Sequence, residues 1–344
     1  MTGAADCPKA ARVAPALLLL LLLLAARPSH GQQLQLEVPV DCDFLTTCVV
    51  QNYVDHNPGA VADDYTCGDL TYNGHDGTDF RVPNLAYVEQ GVPVIAAAAG
   101  VVTGVRDGQV DGAYVAGGAA VVANLECGNG IGIDHGNGWT TQYCHLRRGS
   151  VRVQRGQAVA AGEVLGLIGM SGMSEFPHLH LTVRRNAVAV DPFVGPDPLA
   201  ACGAPRAPLW SAAAQARLPY FESGLLNAGF TSSPPTSAEI LAGQRQDGLL
   251  PRDAPNLVFW TEIFGKRPGD RDRIHITGPD GAAVVDTVGQ PATSHLARNL
   301  AYGGLRRTQP QWRAGLYRGE YVLERPVNGT WVAVLRIERT VEIR

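Results

Sequence analysis

Hydrophobic residues occur along this chain as short runs that glycine or polar turns separate, a pattern typical of β-strands. A first group of such runs precedes residue 193: 92–96, 100–106, 119–124, 128–134, 139–144, 151–153, 158–159, 165–170 and 178–184. A second group follows residue 256: 257–264, 272–277, 283–288, 319–324 and 331–343. We therefore predict an all-β chain with an antiparallel sheet in its first region. The second region has short alternating strands without cysteine, and we expect an immunoglobulin-like β-sandwich there.

Length and charge favour two domains that differ in composition. A chain of 344 residues suggests about two domains. Residues 32–200 carry 18 acidic and 8 basic side chains, whereas residues 201–344 carry 13 and 17. The formal net charge of −4 gives no support for nucleic-acid binding, which needs a basic surface. The predicted division is a signal peptide at 1–31, the first domain with a disulfide-bearing N-terminal segment at 32–202, a linker at 203–252, and the sandwich at 253–344.

The N-terminal residues have the pattern of a secretory signal peptide. Lys9 and Arg12 precede eight consecutive leucines at 17–24, and the small residues Ser29 and Gly31 stand where cleavage takes place. The apolar run is too short to span a bilayer comfortably, which argues against the alternative of an uncleaved membrane anchor. We therefore expect a periplasmic or secreted chain with no stable membrane span after cleavage.

Cysteine usage fits an exported chain. Removal of the signal peptide leaves an even number of cysteines, which predicts three disulfides: Cys42, Cys48, Cys67, Cys127, Cys144 and Cys202. Residues 128–134 and 139–144 flank a hairpin turn signal, so folding brings Cys127 opposite Cys144 and predicts that pair. The other four cysteines allow three connectivities. A thiolate metal site is the alternative, but the chain has no C-x-x-C pair.

Histidine and aspartate occur at spacings that suit a metal site. His178 and His180 share one face of a strand, because side chains in a strand alternate between faces. H-x-H alone often arises by chance, and His75-x-x-x-Asp79 is also compatible with a turn that Asp79 caps. Together, His75, Asp79 and one histidine of the pair form a catalytic zinc ligand set that leaves a fourth position for water. The chain has no H-E-x-x-H motif, so a spare histidine is the candidate general base.

These motifs, with His145 in a Tyr-Cys-His-Leu context, resemble those of the lysostaphin-type (LytM-like) zinc endopeptidases that cut peptidoglycan peptides. The resemblance covers roughly residues 68–193 and includes the glycine-rich segments between the motifs. Glu175 and Phe176 depart from the small residues often found before the Pro-His-x-His motif of relatives, and we expect them to reshape the substrate groove.

The resemblance implies an antiparallel β-sheet catalytic domain in which His75, Asp79 and His180 hold Zn²⁺. It also implies that His145 and His178 form the catalytic pair on the open side of the metal. One of the two accepts the proton of water, and the other orients the water or stabilises the oxyanion. The resemblance does not divide these two roles between them.

The expected function is an exported zinc endopeptidase that hydrolyses the peptide cross-links of peptidoglycan, with stem peptides as its substrate. For a Gram-negative host, the resemblance implies cleavage of D-alanyl–diaminopimelate bridges. The alternatives are a non-catalytic murein-hydrolase activator or cell-wall-binding protein, and a zinc protease of folded proteins. The sandwich is a candidate for binding the cell wall or a protein partner, because its arginines suit an anionic polymer. Those arginines are equally compatible with an ordinary solvated surface.

Overall fold

A computed structural model describes residues 1–3, 34–44, 46–197 and 200–344. The predicted signal peptide falls almost entirely outside these residues. Residues from Gln33 to Arg344 form one compact unit. Within the described part of the chain, every helix is too short or too polar to cross a bilayer.

Strands dominate the described residues, and the helices are short. The first region contains β1 Val49–Asn52, β2 Thr78–Arg81, α1 Leu85–Gln90, β3 Pro93–Ile95, β4 Gly100–Arg106, α2 Ala113–Gly117, a 3₁₀ helix at Ala119–Val122, β5 Asn129–Gly136, β6 Trp139–Leu146, β7 Ala158–Val159, β8 Val164–Leu167, β9 His178–Arg185 and β10 Val188–Val190. The second contains α3 Ala212–Arg217, β11 Gly224–Thr231, α4 Ser237–Leu241, β12 Leu249–Leu250, β13 Asn256–Phe264, β14 Arg271–Thr277, β15 Ala283–Val288, β16 Asn299–Arg306, β17 Gly315–Val327 and β18 Thr330–Ile343.

The first region is built on an eight-stranded antiparallel sheet in the order β1-β2-β9-β6-β5-β4-β7, with β10 paired to β9. The all-β architecture with an antiparallel sheet that was predicted from the sequence is confirmed. β5 and β6 form the predicted hairpin, and its two-residue turn places Asn137 and Gly138 at positive φ. β3 and β8 form a separate two-stranded sheet.

Several first-region expectations differ from the structure. Residues 119–124, predicted as a strand, contain a 3₁₀ helix, and residues 151–153 lie outside any strand. The N-terminal segment before β2, for which no strand was predicted, supplies the edge strand β1 and buries Leu36 and Val40 completely. Contacts with the rest of the fold determine the conformation of these short segments, because their own periodicity is too brief to do so.

The second region consists of two sheets that share a buried hydrophobic cluster. One sheet has the order β11-β13-β16, and the other has the order β12-β18-β17-β14-β15. Phe259 of the first sheet and Ile274 of the second both belong to the cluster. Gly319 on β17 permits a close approach of the sheets, because a Cβ there would lie 2.5 Å from the Phe259 ring. The structure is thus a two-sheet sandwich, while its immunoglobulin-like character and the domain boundaries stay predictions.

The stretch at 203–252 differs from the linker predicted there. β11 lies inside it and pairs along its length with β13, so this segment is part of the sandwich. Trp210, only 2% exposed, and Leu226 both pack into the hydrophobic cluster of the first region. The stretch therefore contributes to both hydrophobic clusters. Its composition, rich in proline and small residues, concealed this role.

Three disulfides join the six cysteines, as expected for an exported chain. Cys127 pairs with Cys144, which confirms the pairing predicted from the hairpin. The two connections that the sequence left open are Cys42–Cys48 and Cys67–Cys202. The last of these ties residues 135 positions apart and fastens the end of the first region to its N-terminal segment.

Candidate metal centre and catalytic residues

Strand register brings an aspartate and two histidines onto one face of the sheet. β2 runs antiparallel to β9, so that Asp79 lies opposite His180 and Arg81 lies opposite His178. Leu179 and Phe80 alternate with these polar residues and are completely buried in the hydrophobic cluster on the other face. The apolar positions thereby fix which way the polar side chains point.

His75 reaches the same point from the turn that precedes β2. Its Nδ1–H donates to the backbone oxygen of Tyr53 at 2.7 Å, because a carbonyl oxygen accepts only. With the proton on Nδ1, the Nε2 atom presents a lone pair. That atom lies 3.2 Å from Asp79 Oδ1 and 3.2 Å from His180 Nδ1.

His180 is oriented in the same manner from its far side. Its Nε2 lies 3.3 Å from Asp76 Oδ1 and 3.0 Å from Thr182 Oγ1, so a proton on Nε2 can be donated to the carboxylate. Its Nδ1 then faces Asp79 Oδ1 at 3.0 Å. Burial lowers the pKa of His180, but hydrogen bonds to Asp76 and Asp79 outweigh it and raise the pKa to about 9.

Three potential ligand atoms converge here: His75 Nε2, His180 Nδ1 and Asp79 Oδ1 all lie within 4.8 Å of one another. Because the pKa of His180 is raised, its Nδ1 carries a proton that faces Asp79, and a metal ion bound by these atoms would take the place of that proton. Two imidazoles and one carboxylate are a donor set that Zn²⁺ accepts in catalytic sites. The residues present thus fit a metal ion, and they are the three that the family resemblance implies as ligands.

Asp79 is the most deeply buried member of the group, at 1% exposure. Its second oxygen, Oδ2, accepts a hydrogen bond of 2.9 Å from Asn52 Nδ2 on β1. Burial raises the pKa of Asp79, yet the facing imidazoles of His75 and His178 and the hydrogen bond with His180 hold it well below its usual value. The carboxylate is therefore ionised and held in a single orientation.

His145 lies at the end of β6 in a conformation that few non-glycine residues adopt. Its φ is +64°, at a bulge where the register between β5 and β6 shifts. The backbone N–H donates to Cys127 O at 2.8 Å, and the ring Nδ1–H donates to Ser171 O at 2.7 Å. These bonds turn the ring toward His178, with ring centroids 4.6 Å apart.

His178 completes the group from the start of β9. Its Nδ1–H donates to Phe176 O at 2.8 Å, and its Nε2 lies 3.5 Å from Asp79 Oδ1. Burial lowers the pKa of His178 below its usual value and lowers that of His145 further, which favours neutral rings. Each ring therefore has a protonated Nδ1 and a basic Nε2, the form that a proton acceptor needs.

A groove of about 340 Å³ gives access to this group. Three of the histidines line it, together with side chains of both charges: His75, His145, His180, Tyr72, Asp76, Glu126, Gln142, Met173 and Arg184. Arg184 donates to Asp76 at 2.9 Å and to Gln142 at 2.8 Å. The groove thus offers hydrogen-bond donors and acceptors beside the candidate metal centre.

Sequence reasoning missed the residues that orient the ligands. Asn52 and Tyr53, which hold Asp79 and His75, and Ser171, which holds His145, stand outside the motifs, and two of these three act through a backbone oxygen. Asp76, which faces His180, fills a variable position of the His75-x-x-x-Asp79 motif. A backbone oxygen carries no residue signature, so the sequence had no means of showing the other bonds.

Two other histidines lie outside the site. His135 bonds to Ala99 O and Thr141 Oγ1 at the hairpin. His56 pairs with Asp191 at 2.8 Å and with Ala200 O at 2.7 Å. Both rings are fully engaged in structural contacts.

Comparison with known proteins confirms the predicted resemblance. Residues 73–192 match Peptidase family M23. DD-carboxypeptidase/endopeptidase Mpg of Neisseria meningitidis serogroup B is 37% identical over 122 residues, which cover 36% of this chain and 23% of that protein. Peptidoglycan DD-endopeptidase ShyA of Vibrio cholerae serotype O1 is 35% identical over 116 residues, covering 33% and 21%.

The chain thus spans about a fifth of the length of these relatives. Among solved structures, the catalytic domain of the antimicrobial peptidase lysostaphin from Staphylococcus simulans is 26% identical, with a TM-score of 0.27. That match covers 41% of this chain and 85% of the lysostaphin domain.

Proposed function

We propose that the Peptidase family M23 domain at residues 73–192 makes this chain an exported, zinc-dependent endopeptidase that hydrolyses the peptide cross-links of peptidoglycan. The observation that carries the proposal is the convergence of three potential metal-ligand atoms beside two neutral imidazoles. His75, Asp79 and His180 supply the ligand atoms, and His145 and His178 supply the imidazoles.

In this proposal, Zn²⁺ is held by His75 Nε2, Asp79 Oδ1 and His180 Nδ1. A zinc ion with three protein ligands acidifies water toward a pKa of about 7 and polarises the carbonyl under attack. Asn52 and Tyr53 hold two of the ligands in place, and such outer contacts commonly govern metal affinity.

In this proposal, His145 and His178 form the catalytic pair that transfers protons during hydrolysis. His145, which lines the groove, and His178, whose Nε2 lies 3.5 Å from Asp79 Oδ1, each have a basic Nε2, because each Nδ1–H is bound to a backbone oxygen. One ring accepts a proton from the attacking water and later returns it to the leaving amine. The other ring stabilises the oxyanion that develops on the scissile carbonyl in its protonated form, which carries a second donor at Nε2.

Peptidoglycan as substrate is supported by the names of two relatives. Mpg is a DD-carboxypeptidase/endopeptidase and ShyA is a peptidoglycan DD-endopeptidase. DD-endopeptidase activity in these relatives supports cross-links between D-amino acids as the bond cleaved here. Three disulfides support an oxidising compartment, and we infer a periplasmic or secreted location.

The decisive experiment is mass spectrometry of the soluble fragments released from purified sacculi. The mature chain is incubated with sacculi in the presence and absence of a chelator, and its zinc content is measured in parallel. We expect conversion of cross-linked dimers to monomers, sensitive to the chelator and restored by zinc. The fragment masses identify the bond that is cut.

Asp79→Ala is the control variant, because it removes one acceptor from the centre. Protein that holds zinc and releases no fragments would contradict peptidoglycan as substrate, and digestion of elastin or casein by it would favour a protease of folded proteins. Protein that holds no zinc and releases nothing would favour the alternative of a hydrolase activator. Addition of a separate murein hydrolase to the assay then tests for activation.

A further inference from the structure

A buried arginine connects the catalytic sheet to the sandwich. Arg81, on β2 two residues after Asp79, is only 1% exposed. Its Nη2 lies 3.4 Å from Glu262 Oε2 on β13, and its Nη1 donates to Gln51 Oε1 at 2.8 Å. Glu262 is itself 2% exposed. Loss of the Glu262 carboxylate leaves the Arg81 guanidinium as an uncompensated buried charge, so the first region depends on the sandwich here.

The same guanidinium also supports the candidate catalytic histidine. It lies over the ring of Phe176 at 4.4 Å, the geometry of a cation–π contact. The ring of Phe176 lies 4.6 Å from the ring of His178, and its backbone oxygen accepts the His178 Nδ1–H. Phe176 is thus held between Arg81 and His178.

A second connection runs parallel to the first. Gln51, which accepts from Arg81, donates through Nε2 to Ala297 O of the sandwich at 3.3 Å. The next residue on β1, Asn52, donates to Asp79 Oδ2. The Arg81–Glu262 and Gln51–Ala297 contacts therefore connect the sandwich to β1 and β2. Both are polar contacts made by side chains of the first region.

We infer that Arg81 and Glu262 are positioning residues, through which the sandwich holds Phe176 against His178 and so fixes the orientation of that imidazole. This inference rests on the proposed function for its catalytic consequence. It gives the sandwich a role within the catalytic unit, separate from any contact with the cell wall. Neither Arg81 nor Glu262 touches the ligands or the scissile bond in this assignment.

The test compares two substitutions at the ends of one charge cluster. Glu262→Gln keeps the shape of the side chain and removes the charge that faces Arg81. Arg298→Gln is the matched control, because Arg298 lies 3.5 Å from the other oxygen of Glu262, is 38% exposed and does not contact Phe176. We expect Glu262→Gln to lower kcat about tenfold with KM and zinc content unchanged, since small displacements of a catalytic group are costly. Arg298→Gln should stay within twofold of the parent chain.

A second pair of variants isolates the aromatic contact. Phe176 is partly exposed, so its variants are expected to fold even if substitution of the buried Glu262 prevents folding. Phe176→Leu should lower kcat by a similar factor, because it removes the ring face that Arg81 and His178 share. Phe176→Tyr retains that face and should restore kcat to within about threefold. A purely structural role would not separate leucine from tyrosine in this way.

Nuclear magnetic resonance of the histidine ring signals tests the same link without substrate. In the zinc-loaded chain, Glu262→Gln and Phe176→Leu should shift the His178 signals while those of His135, on the far hairpin, stay in place. Unchanged His178 signals and unchanged kcat in folded Phe176→Leu would overturn the inference. If the parent chain cleaves no peptidoglycan, the proposed function fails, yet the shift of the His178 signals still decides whether the positioning contact exists.

Discussion

The two regions of the molecule treat their buried charges in opposite ways. In the sandwich, Asp270 is completely buried, and its carboxylate accepts two hydrogen bonds from Arg325, at 2.8 and 2.9 Å. In the sheet of the first region, Asp79 is nearly as buried, but the groups that face it are the imidazoles of His75, His178 and His180. One carboxylate is paired with a permanent cation of the protein, while the other faces groups that release a proton when a metal ion binds.

Several surface arginines of the sandwich are paired with carboxylates, as Arg325 is. Arg313 pairs with Asp280 at 2.6 Å, Arg318 pairs with Glu338, and Arg336 pairs with Glu320 at 2.5 Å. The positive charge that composition assigned to this region is therefore largely offset by neighbouring carboxylates. Buried polar groups that are arranged to bind a cation, rather than net charge, therefore mark the candidate site of this chain.

The contrast between Asp79 and Asp270 is tested by making the same substitution at both positions. Asp79→Asn keeps the shape of the side chain and removes its charge, so zinc affinity and hydrolysis should fall by about 10³-fold or more, since several kcal/mol of charge stabilisation are lost. Asp270→Asn should leave zinc binding and hydrolysis unchanged. It should lower the free energy of unfolding by roughly 3 kcal/mol, because Arg325 loses its buried partner.

Zinc titration, fragment release and urea unfolding of both variants check this prediction. Equal zinc affinity in the two variants would show that the carboxylate of Asp79 is not a ligand. A large loss of hydrolysis on changing Asp270 would show that the two regions do not divide stability and chemistry in this way.

The next largest effect concerns the catalytic pair. His145→Ala removes a candidate proton carrier but no ligand, so kcat should fall by about 10²–10⁴-fold while zinc content stays constant. His135→Ala is the matched control on the same sheet, because that ring bonds only to Ala99 O and Thr141 Oγ1 in the described structure. Loss of zinc from His145→Ala would instead make His145 a ligand.

A smaller effect is expected from the residue that orients His180. Asp76→Asn weakens the contact between Asp76 Oδ1 and His180 Nε2, so zinc affinity should fall about 10–100-fold while kcat at saturating zinc changes little. Competition with a fluorescent chelator measures the affinity. Asp134→Asn, at a hairpin turn away from the groove, supplies the control. An equal affinity loss in both variants would indicate a general electrostatic effect.

Part of the fold was accessible from the sequence because its signals are local, whereas the ligand set, which joins His75 to His180 over 105 positions, rested on the family resemblance. The H-x-H pair depends only on strand alternation, and the Cys127–Cys144 disulfide depends only on the length of one hairpin. Both features are set by residues within twenty positions of each other. The strands β13 and β15 were also predicted from their local hydrophobic pattern, and the predicted bounds match the structure to within one residue.

The rest depends on contacts between distant residues, which no local pattern records. β1 and β11 are held as strands by pairing with residues 27 to 40 positions away along the chain, and the hydrophobic pattern of each is too short to identify it. The oxygen atoms of Tyr53 and Ser171 that orient His75 and His145 are backbone atoms. The Arg81–Glu262 pair spans 181 positions and had no signal of its own.

The smallest predicted effect concerns His56, a histidine of the first region whose two ring nitrogens both have hydrogen-bond partners. Burial lowers the pKa of His56, but its hydrogen bonds to Asp191 and Ala200 O outweigh this and raise the pKa above its usual value. A group whose pKa is raised by folding stabilises the fold fully below its unfolded pKa of about 6.5, and that contribution disappears as the pH rises through the folded value. His56→Gln should therefore destabilise the chain more at pH 6 than at pH 9. Urea unfolding of the parent and variant at both pH values measures the difference, and a gap that widens toward pH 9 would show that the His56 ring is neutral in the folded protein.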